Sequence, residues 1–332
     1  MAAINAGVGK TPPIRSMRSG ALMSIQAFVA GGSLLLLAAR PPSITAISLS
    51  DMSETLLVAD CGGAPAAIAL DLKHKHVYWA NRGSDRSRND GVIVRVDLDG
   101  TNRVEIVKRG ETFAPDQIAV DGEHGYLYWA DREGMRVMRS RLDGTEIAVL
   151  IQTGETVEHC TDERRHCVGV AIDPTDCHLF WSQKNSPGSR HRQDPARRHR
   201  PSAGADQRNR SDIEVVLARL PEPTNLEWDG RNGFLYWTDR GYPPLGGTLN
   251  RAKFLDGRLV EPEILLSSRE KGIRLALDAI RGCAFVSNLG GSIRMMRLER
   301  PGESEVIFSR PIPLIGIAHV PAFDLPDAQP RC

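Results

Sequence analysis

Four polar residues occupy corresponding places at the start of short apolar segments that recur along the chain. Asp116 and Gln117 precede one such segment, and Asn225 and Arg274 precede two later ones. A carboxylate and two amides supply oxygen atoms of the kind that bind a divalent cation, which can activate water for hydrolysis. Arg274 would repel that cation, so the set is too poor in ligands for a strong metal site. We therefore expect no cofactor, and a divalent cation is the alternative.

The elements that must position these residues follow from an internal repeat. Five times, an apolar segment ending in Asp is followed seven residues later by an aromatic residue in a second segment. The pairs are Asp71 with Tyr78, Asp121 with Tyr128, Asp173 with Phe180, Asp229 with Tyr236, and Asp278 with Phe285. Residues 66–107 show the whole unit, which is four consecutive antiparallel strands with a DG turn before the last. Repeats of this length and content are typical of propeller blades.

The repeat predicts an all-β fold, a six-bladed β-propeller of four-stranded antiparallel blades. The sixth blade combines SLLLLAA at 33–39 with PLIGIAHV at 313–320, because the first segment lacks a preceding strand and the second lacks following ones. Pairing these two segments would close the ring and remove an exposed sheet edge.

The same count predicts the domain organisation. Residues 33–320 form the propeller, 1–32 are a disordered leader or a mis-assigned start, and 321–332 are a C-terminal tail. The apolar stretch 21–39 resembles a signal peptide. Cleavage after Ala39 would remove a strand that the ring needs, so we favour a retained strand and a cytoplasmic protein, with secretion as the alternative.

One stretch departs from the repeat. Residues 185–210 carry seven arginines and contain no Val, Ile, Leu, Met or aromatic residue, so the third strand of that unit is missing. The stretch is a basic loop, a contact for nucleic acid or an acidic partner, or the product of a shifted reading frame or missed splice. The arginines lack the interleaved aromatics that stack on bases. With a net charge of +1, the chain gives no reason to expect a nucleic-acid partner.

The motif YWTD at 236–239, with YWAN, YWAD and FWSQ in register, resembles the class B repeats of the low-density lipoprotein receptor family. Within that family the chain is more similar to stand-alone fungal and bacterial propellers. The resemblance implies a six-bladed scaffold; receptor members bind proteins on one face. We interpret the motif residues as structural: Tyr78, Trp79, Tyr128, Trp129, Asp131, Trp181, Tyr236, Trp237 and Asp239. Asp131 and Asp239 would tie strand ends, with Arg139 and Arg251 as candidate partners.

Two functional classes remain open. The first is a non-catalytic scaffold whose loops 82–91, 132–135, 154–167 and 240–247 present a face, with Tyr242 as a contact residue, to a protein or small-molecule ligand. The second is a small-molecule enzyme of the gluconolactonase type, with Asp116, Gln117, Asn225 and Arg274 at the channel mouth. No GxSxG, HExxH or Walker motif is present in the sequence. No segment is apolar enough to predict a membrane span, and we expect a monomer.

Overall fold

The computed structural model describes residues 32–84, 88–155, 161–184, 197–199, 213–217, 220–242, 246–268 and 272–322. The predicted leader and tail, apart from residues 32, 321 and 322, lie outside the described residues, as does most of the basic stretch 185–210. In the described part of the chain, no helix has the length and hydropathy that a membrane crossing requires.

The described residues form twenty-four β-strands and one 3-10 turn, Glu163–Arg165. The strands are β1 (Ser33–Ala39), β2 (Pro42–Ser48), β3 (Glu54–Val58), β4 (Pro65–Asp71), β5 (His76–Asn81), β6 (Gly91–Asp97), β7 (Val104–Thr112), β8 (Pro115–Asp121), β9 (Tyr126–Asp131), β10 (Arg136–Arg141), β11 (Ala148–Gln152), β12 (Cys167–Asp173), β13 (His178–Gln183), β14 (Arg197–His199), β15 (Glu214–Val215), β16 (Pro223–Asp229), β17 (Phe234–Asp239), β18 (Thr248–Leu255), β19 (Arg258–Ser267), β20 (Gly272–Asp278), β21 (Cys283–Asn288), β22 (Ser292–Arg297), β23 (Ser304–Ser309) and β24 (Leu314–Val320).

The strands form small four-stranded antiparallel sheets arranged in a ring. Most sheets are meanders of consecutive strands, in the orders β4 to β7, β8 to β11, β12 to β15, β16 to β19 and β20 to β23. The inner strands β4, β8, β12, β16, β20 and β24 contact one another in that order, and β24 contacts β4. This is an all-β propeller with a central channel lined by inner strands.

One sheet joins the two ends of the described chain. Its order is β24-β1-β2-β3, and β24 pairs antiparallel with β1, from Ser33 opposite Val320 to Ala38 opposite Leu314. The predicted pairing of segments 33–39 and 313–320 is therefore confirmed. Residues 33–39 form the second strand of this sheet, in the place that the aromatic strand takes in the others.

The structure shows five complete blades rather than the six that the repeat predicts. In the remaining sheet, β12 and β13 have full length, but β14 and β15 have only 3 and 2 residues. The expectation that this unit lacks a third strand altogether is also wrong, because β14 pairs with β13 over Leu179 to Trp181. The low apolar content of 185–210 explains why β14 is short, because that segment has no apolar residues to bury, whereas β15 lies beyond it in SDIEVVL.

The hydrophobic core lies between the sheets. The first two motif residues point to opposite sides: Trp79 packs in a cluster with β1, β2 and β24, whereas Tyr78 packs with Leu127 and Trp129 of the following sheet. Trp79, Trp129 and Trp181 are fully buried. Successive side chains of a strand therefore pack against the preceding sheet and the following sheet in turn, which is why neither face of these strands is polar.

We expect Leu37→Ala, in the strand that closes the ring, to lower the free energy of unfolding by about 2–5 kcal/mol. Leu37 is fully buried among residues from two sheets. Leu56→Ala, in the same sheet but 59% exposed, is the matched control and should change stability by about 0.5 kcal/mol or less. Denaturant titration measures both, and equal losses would show that the closing sheet is not packed as described.

Candidate functional site at the channel mouth

The four polar residues that the sequence singles out lie together in the channel. Asp116 and Gln117 belong to β8, Asn225 to β16 and Arg274 to β20, and each is at most 8% exposed. They lie at the start of their inner strands, so they share one end of the ring. Their neighbours at the same level are mostly small or apolar, which lets the long side chains cross the channel.

Asp116 is held by two arginines from other sheets. Its Oδ1 accepts hydrogen bonds from Arg274 Nη2 at 2.6 Å and from Arg82 Nη2 at 2.7 Å. Burial alone would raise the pKa of this carboxyl, but Arg82, Arg274 and Arg132 hold it well below its usual range. Asp116 is therefore a permanent anion with paired charge, and it is poorly suited to act as a general base near neutral pH.

The Arg274 side chain makes hydrogen bonds to other inner strands across the channel. Its Nε donates to the carbonyl oxygen of Ile315 at 2.8 Å, and its Nη2 also donates to that of Ala66 at 2.7 Å. These acceptors belong to β24 and β4, so one guanidinium joins inner strands around the ring closure. The positive charge disfavours a cation beside Asp116, as the sequence predicts.

Gln117 makes hydrogen bonds to inner strands on the opposite side of the channel. Its Nε2 donates to the carbonyl oxygen of Leu226 at 2.6 Å, while its Oε1 accepts from the backbone N–H of Val170 at 3.0 Å and of Leu226 at 2.9 Å. Inner strands expose backbone groups to the channel that no fifth strand pairs, and such groups are costly when buried and unbonded. Gln117 satisfies three of them, which is a structural function.

Glu227 is a channel-side residue that sequence reasoning missed. It is paired with Tyr236, and the equivalent residue in the other inner strands is alanine: Ala69, Ala119, Ala171, Ala276 and Ala318. Burial raises the pKa of Glu227 to about 8, and the nearby Asn225 amide opposes this only partly. The sequence did contain a signal, because the segment NLEWD has Glu at the position where AIALD and QIAVD have Ala.

Arg82 is a second missed residue, and it has equivalents around the rim. Arg82, Arg132, Lys184 and Arg240 each follow the second strand of their sheet directly. Their backbone N–H groups donate to the residues that precede the inner strands: Ala64 at 2.9 Å, Ala114 at 3.0 Å, His166 at 2.9 Å and Glu222 at 2.9 Å. The four cations therefore share one end of the ring, at the mouth that Asp116 and Arg274 approach. The signal was the basic residue after YWAN, YWAD, FWSQ and YWTD.

The motif carboxylates have partners other than those predicted. Asp131 accepts from Arg136 Nε at 2.8 Å, not from Arg139, which lies over the Tyr126 ring. Its oxygens also accept the N–H groups of Phe113 and Ala114. The motif Asp thus anchors the segment that enters the inner strand of its own sheet.

Asp239 performs the same task with backbone groups. Its Oδ1 accepts from the N–H groups of Glu222 at 3.0 Å and Gly241 at 2.9 Å. Arg251, the predicted partner, instead pairs with Glu263 at 2.9 Å. Burial raises the pKa of Asp239 to about 7, against these two hydrogen bonds.

A possible metal-ligand group lies at a strand turn rather than in the channel. Ligand atoms of Asp173, Asp176 and His178 lie within 4.8 Å of one another. The equivalent Asp71 accepts from the backbone N–H of His74, and Asp173 accepts from that of Thr175 at 3.2 Å. Since this Asp caps the turn in several sheets, we interpret Asp173 as structural.

Tyr242 lies on the loop after β17, on the same face as the rim cations. It is 79% exposed, and its carbonyl oxygen accepts from Gly246 N–H at 2.9 Å. The remaining residues of this loop, 243–245, lie outside the described residues.

Comparison with known proteins agrees with this architecture. No protein-family model matches the chain. Over 268 residues it is 36% identical to a protein of Pyricularia oryzae named low-density lipoprotein receptor-related protein 1, covering 77% of this chain and 85% of that one. It is 31% identical over 266 residues to the 3-hydroxyacyl-CoA dehydrogenase-like protein LAM1 of Cochliobolus heterostrophus, of which it spans 56%.

Among solved structures, a chain of a nidogen/laminin complex aligns with a TM-score of 0.67 and 18% identity, covering 88% of this chain and 99% of that one. A Bacteroides fragilis protein whose assignment as a 6-phosphogluconolactonase is provisional aligns with a TM-score of 0.54 and 14% identity, covering 84% and 82%. These likenesses concern the fold.

The chain is thus an all-β propeller with repeats of the low-density lipoprotein receptor type. It belongs to the family of the Pyricularia oryzae low-density lipoprotein receptor-related protein 1.

We expect Glu227→Gln to stabilise the protein at alkaline pH. The folded pKa of about 8 exceeds the ordinary 4.5, so the folded state keeps a proton that the unfolded state releases. The stability from this group is complete below the unfolded pKa, and it is lost as pH rises through about 8. The variant removes that loss, so its Tm should exceed the wild-type Tm at about pH 9, by roughly 2–4 °C for each kcal/mol regained.

Thermal melts at several pH values measure this effect, with Glu305→Gln as the control because Glu305 is exposed. The control should follow the wild-type pH profile. If Glu227→Gln followed it too, Glu227 would not keep a proton in the folded state at neutral pH.

Proposed function

We propose that the protein is a non-catalytic binding scaffold that presents the face bearing the rim cations and Tyr242 to a ligand. The observation that carries the proposal is the use of the channel groups. The side-chain amide of Gln117 makes three hydrogen bonds to backbone groups, and Asp116 is neutralised by Arg82 and Arg274. Groups committed to joining inner strands are not available for substrate chemistry, whereas the loops of the same face are.

The membership in a receptor-related family supports a scaffold, since propellers of this kind are rigid frames with variable loops. The fold of the nidogen/laminin structure is consistent with it. We also infer that the ring has six blade positions within residues 33–320, the position formed by β12 to β15 having a reduced outer half.

The alternative is a small-molecule enzyme at the channel mouth, of the gluconolactonase type. The lactonase-like neighbour supports it only as a fold. The charges favour it less, because Arg274 and Arg82 surround the one carboxylate among the four predicted channel residues. A cation-dependent hydrolase would need more anionic ligands at that point.

We expect Tyr242→Ala to weaken capture of a specific binding partner from lysate by at least about fivefold, as loss of an exposed aromatic contact does in interfaces. Ile280→Ala is the matched control, since Ile280 is 71% exposed but lies in the turn between β20 and β21, at the other end of the ring. Quantitative mass spectrometry of the captured proteins measures the difference.

The enzyme alternative is tested on the same preparations with lactone and ester substrates, with and without a chelator. Chelator-sensitive turnover that disappears in Asp116→Ala would contradict the scaffold proposal. Partner capture that Tyr242→Ala and Ile280→Ala reduce equally would remove the assignment of the face.

A further inference from the structure

The rim cations differ in how their charges are balanced. Arg82 pairs with Asp116 at 2.7 Å, Arg132 with Glu133 at 3.1 Å, and Lys184 with Glu163 at 2.7 Å. Arg240 has no carboxylate within 4.0 Å among the described residues, although Glu222 and Asp239 are close along the backbone. Within the part of the chain that the structure describes, Arg240 is therefore the one of these four cations without a counter-ion.

Arg274 brings a second guanidinium to the same place. It occupies the register position of Asn225 in the neighbouring sheet, and β16 and β20 are in contact. Burial lowers the pKa of Arg274, Asp116 opposes that, and Arg82 and Arg240 add to it by repulsion. Since Arg240 follows β17 at the mouth and Arg274 lies in β20 of the next sheet, one anion between the two cations would relieve that repulsion.

Two arginine hydrogen-bond donors at this point have no partner among the described residues. Among the described residues, Nε of Arg240 and Nε of Arg82 are buried and unbonded, whereas the Asn225 amide lies beside the Glu227 carboxyl. Asn225 is only 3% exposed and lies across from Thr238, two residues before Arg240. Arg274 donates hydrogen bonds through Nε and Nη2, and its Nη1 makes none to the described residues.

Acceptors of this end of the ring are also unbonded in the described residues, and they include Oδ1 of Asn89, Oε2 of Glu133, Oε1 of Gln183 and Oδ2 of Asp239. Glu133 is already paired with Arg132. Burial raises the pKa of Asp239 to about 7, so burial disfavours its charged form. Asp116 is shared between Arg82 and Arg274, and Arg240 has no carboxylate partner among the described residues, so the charges of the mouth favour an anion.

We propose that the channel mouth binds a small oxoanion, the carboxylate or phosphate group of a small molecule, between Arg240 and Arg274. Planar guanidinium groups match both oxoanions in geometry. A carbohydrate without a charged group would leave Arg240 unbalanced. The inference deepens the proposed scaffold function, because it assigns a ligand class to the presented face.

The test is isothermal titration of the full chain with inorganic phosphate, pyrophosphate and citrate at constant ionic strength. Constant ionic strength is needed because general charge effects are screened by salt. Wild type should bind one of them saturably at one site, and Arg240→Gln should weaken that binding by about tenfold, the typical effect of one charge-assisted contact. Phosphate or pyrophosphate binding without citrate binding identifies a phosphate group as the ligand, and the reverse identifies a carboxylate.

The matched control is Arg300→Gln, which removes the same charge from an exposed residue in the turn between β22 and β23, at the other end of the ring. It should bind as wild type does. Equal weakening in both variants, or no wild-type binding tighter than about 10 mM for any of the three anions, would overturn the proposal. Circular dichroism confirms that Arg240→Gln is folded. Failure of this test leaves the Tyr242-dependent capture unaffected, so the two proposals fail separately.

Discussion

The antiparallel pairing of β1 with β24 is the constraint on which the rest of the structure depends. It joins the first and last strands of the described chain, so the inner strands form a closed ring with no free inner edge. Each intersheet cluster then has a partner on both sides, and the fully buried tryptophans can pack between sheets. Without that pairing, Leu34 to Leu37 would be an exposed apolar strand.

Ring closure also determines the chemistry of the channel. Six inner strands direct unpaired backbone groups toward one narrow space, and two long side chains satisfy part of that demand. Gln117 bonds to β12 and β16, and Arg274 bonds to β4, β8 and β24. The polar residues of the channel are therefore explained first by the needs of the fold. Among the described residues, the cation at Arg240 has no carboxylate partner, and it is the group to which, together with Arg274, we assign a ligand.

Much of the fold could be predicted from the sequence, because the repeat records it directly. A constant spacing between Asp and the aromatic residue specifies a strand, a turn and a second strand. The N-terminal segment 33–39 lacked a preceding strand, and the C-terminal segment 313–320 supplied it. The number of complete blades could not be predicted. β14 shows that a chain segment can pair over 3 residues without an apolar pattern.

The candidate site was predicted less completely. The channel position of Asp116, Gln117, Asn225 and Arg274 followed from register, since corresponding places in a repeat lie at one level. The partners did not follow, because a side chain such as Arg82 reaches Asp116 from another sheet, 34 residues away in the chain. Asp131 illustrates the same limit: Arg136 and Arg139 both lie on β10, and only the folded geometry distinguishes them.

The central claim is that the polar channel residues serve the ring. Hydrogen exchange of individual amides in Gln117→Leu tests it most directly, because Val170 and Leu226 N–H both donate to Gln117 Oε1. The account predicts that these two amides exchange much faster in the variant, by tenfold or more for each roughly 1.4 kcal/mol of lost protection, while those of β1 and β24 keep their wild-type rates. Unchanged exchange at Val170 and Leu226 would contradict it, and would return Gln117 to the residues available for a ligand.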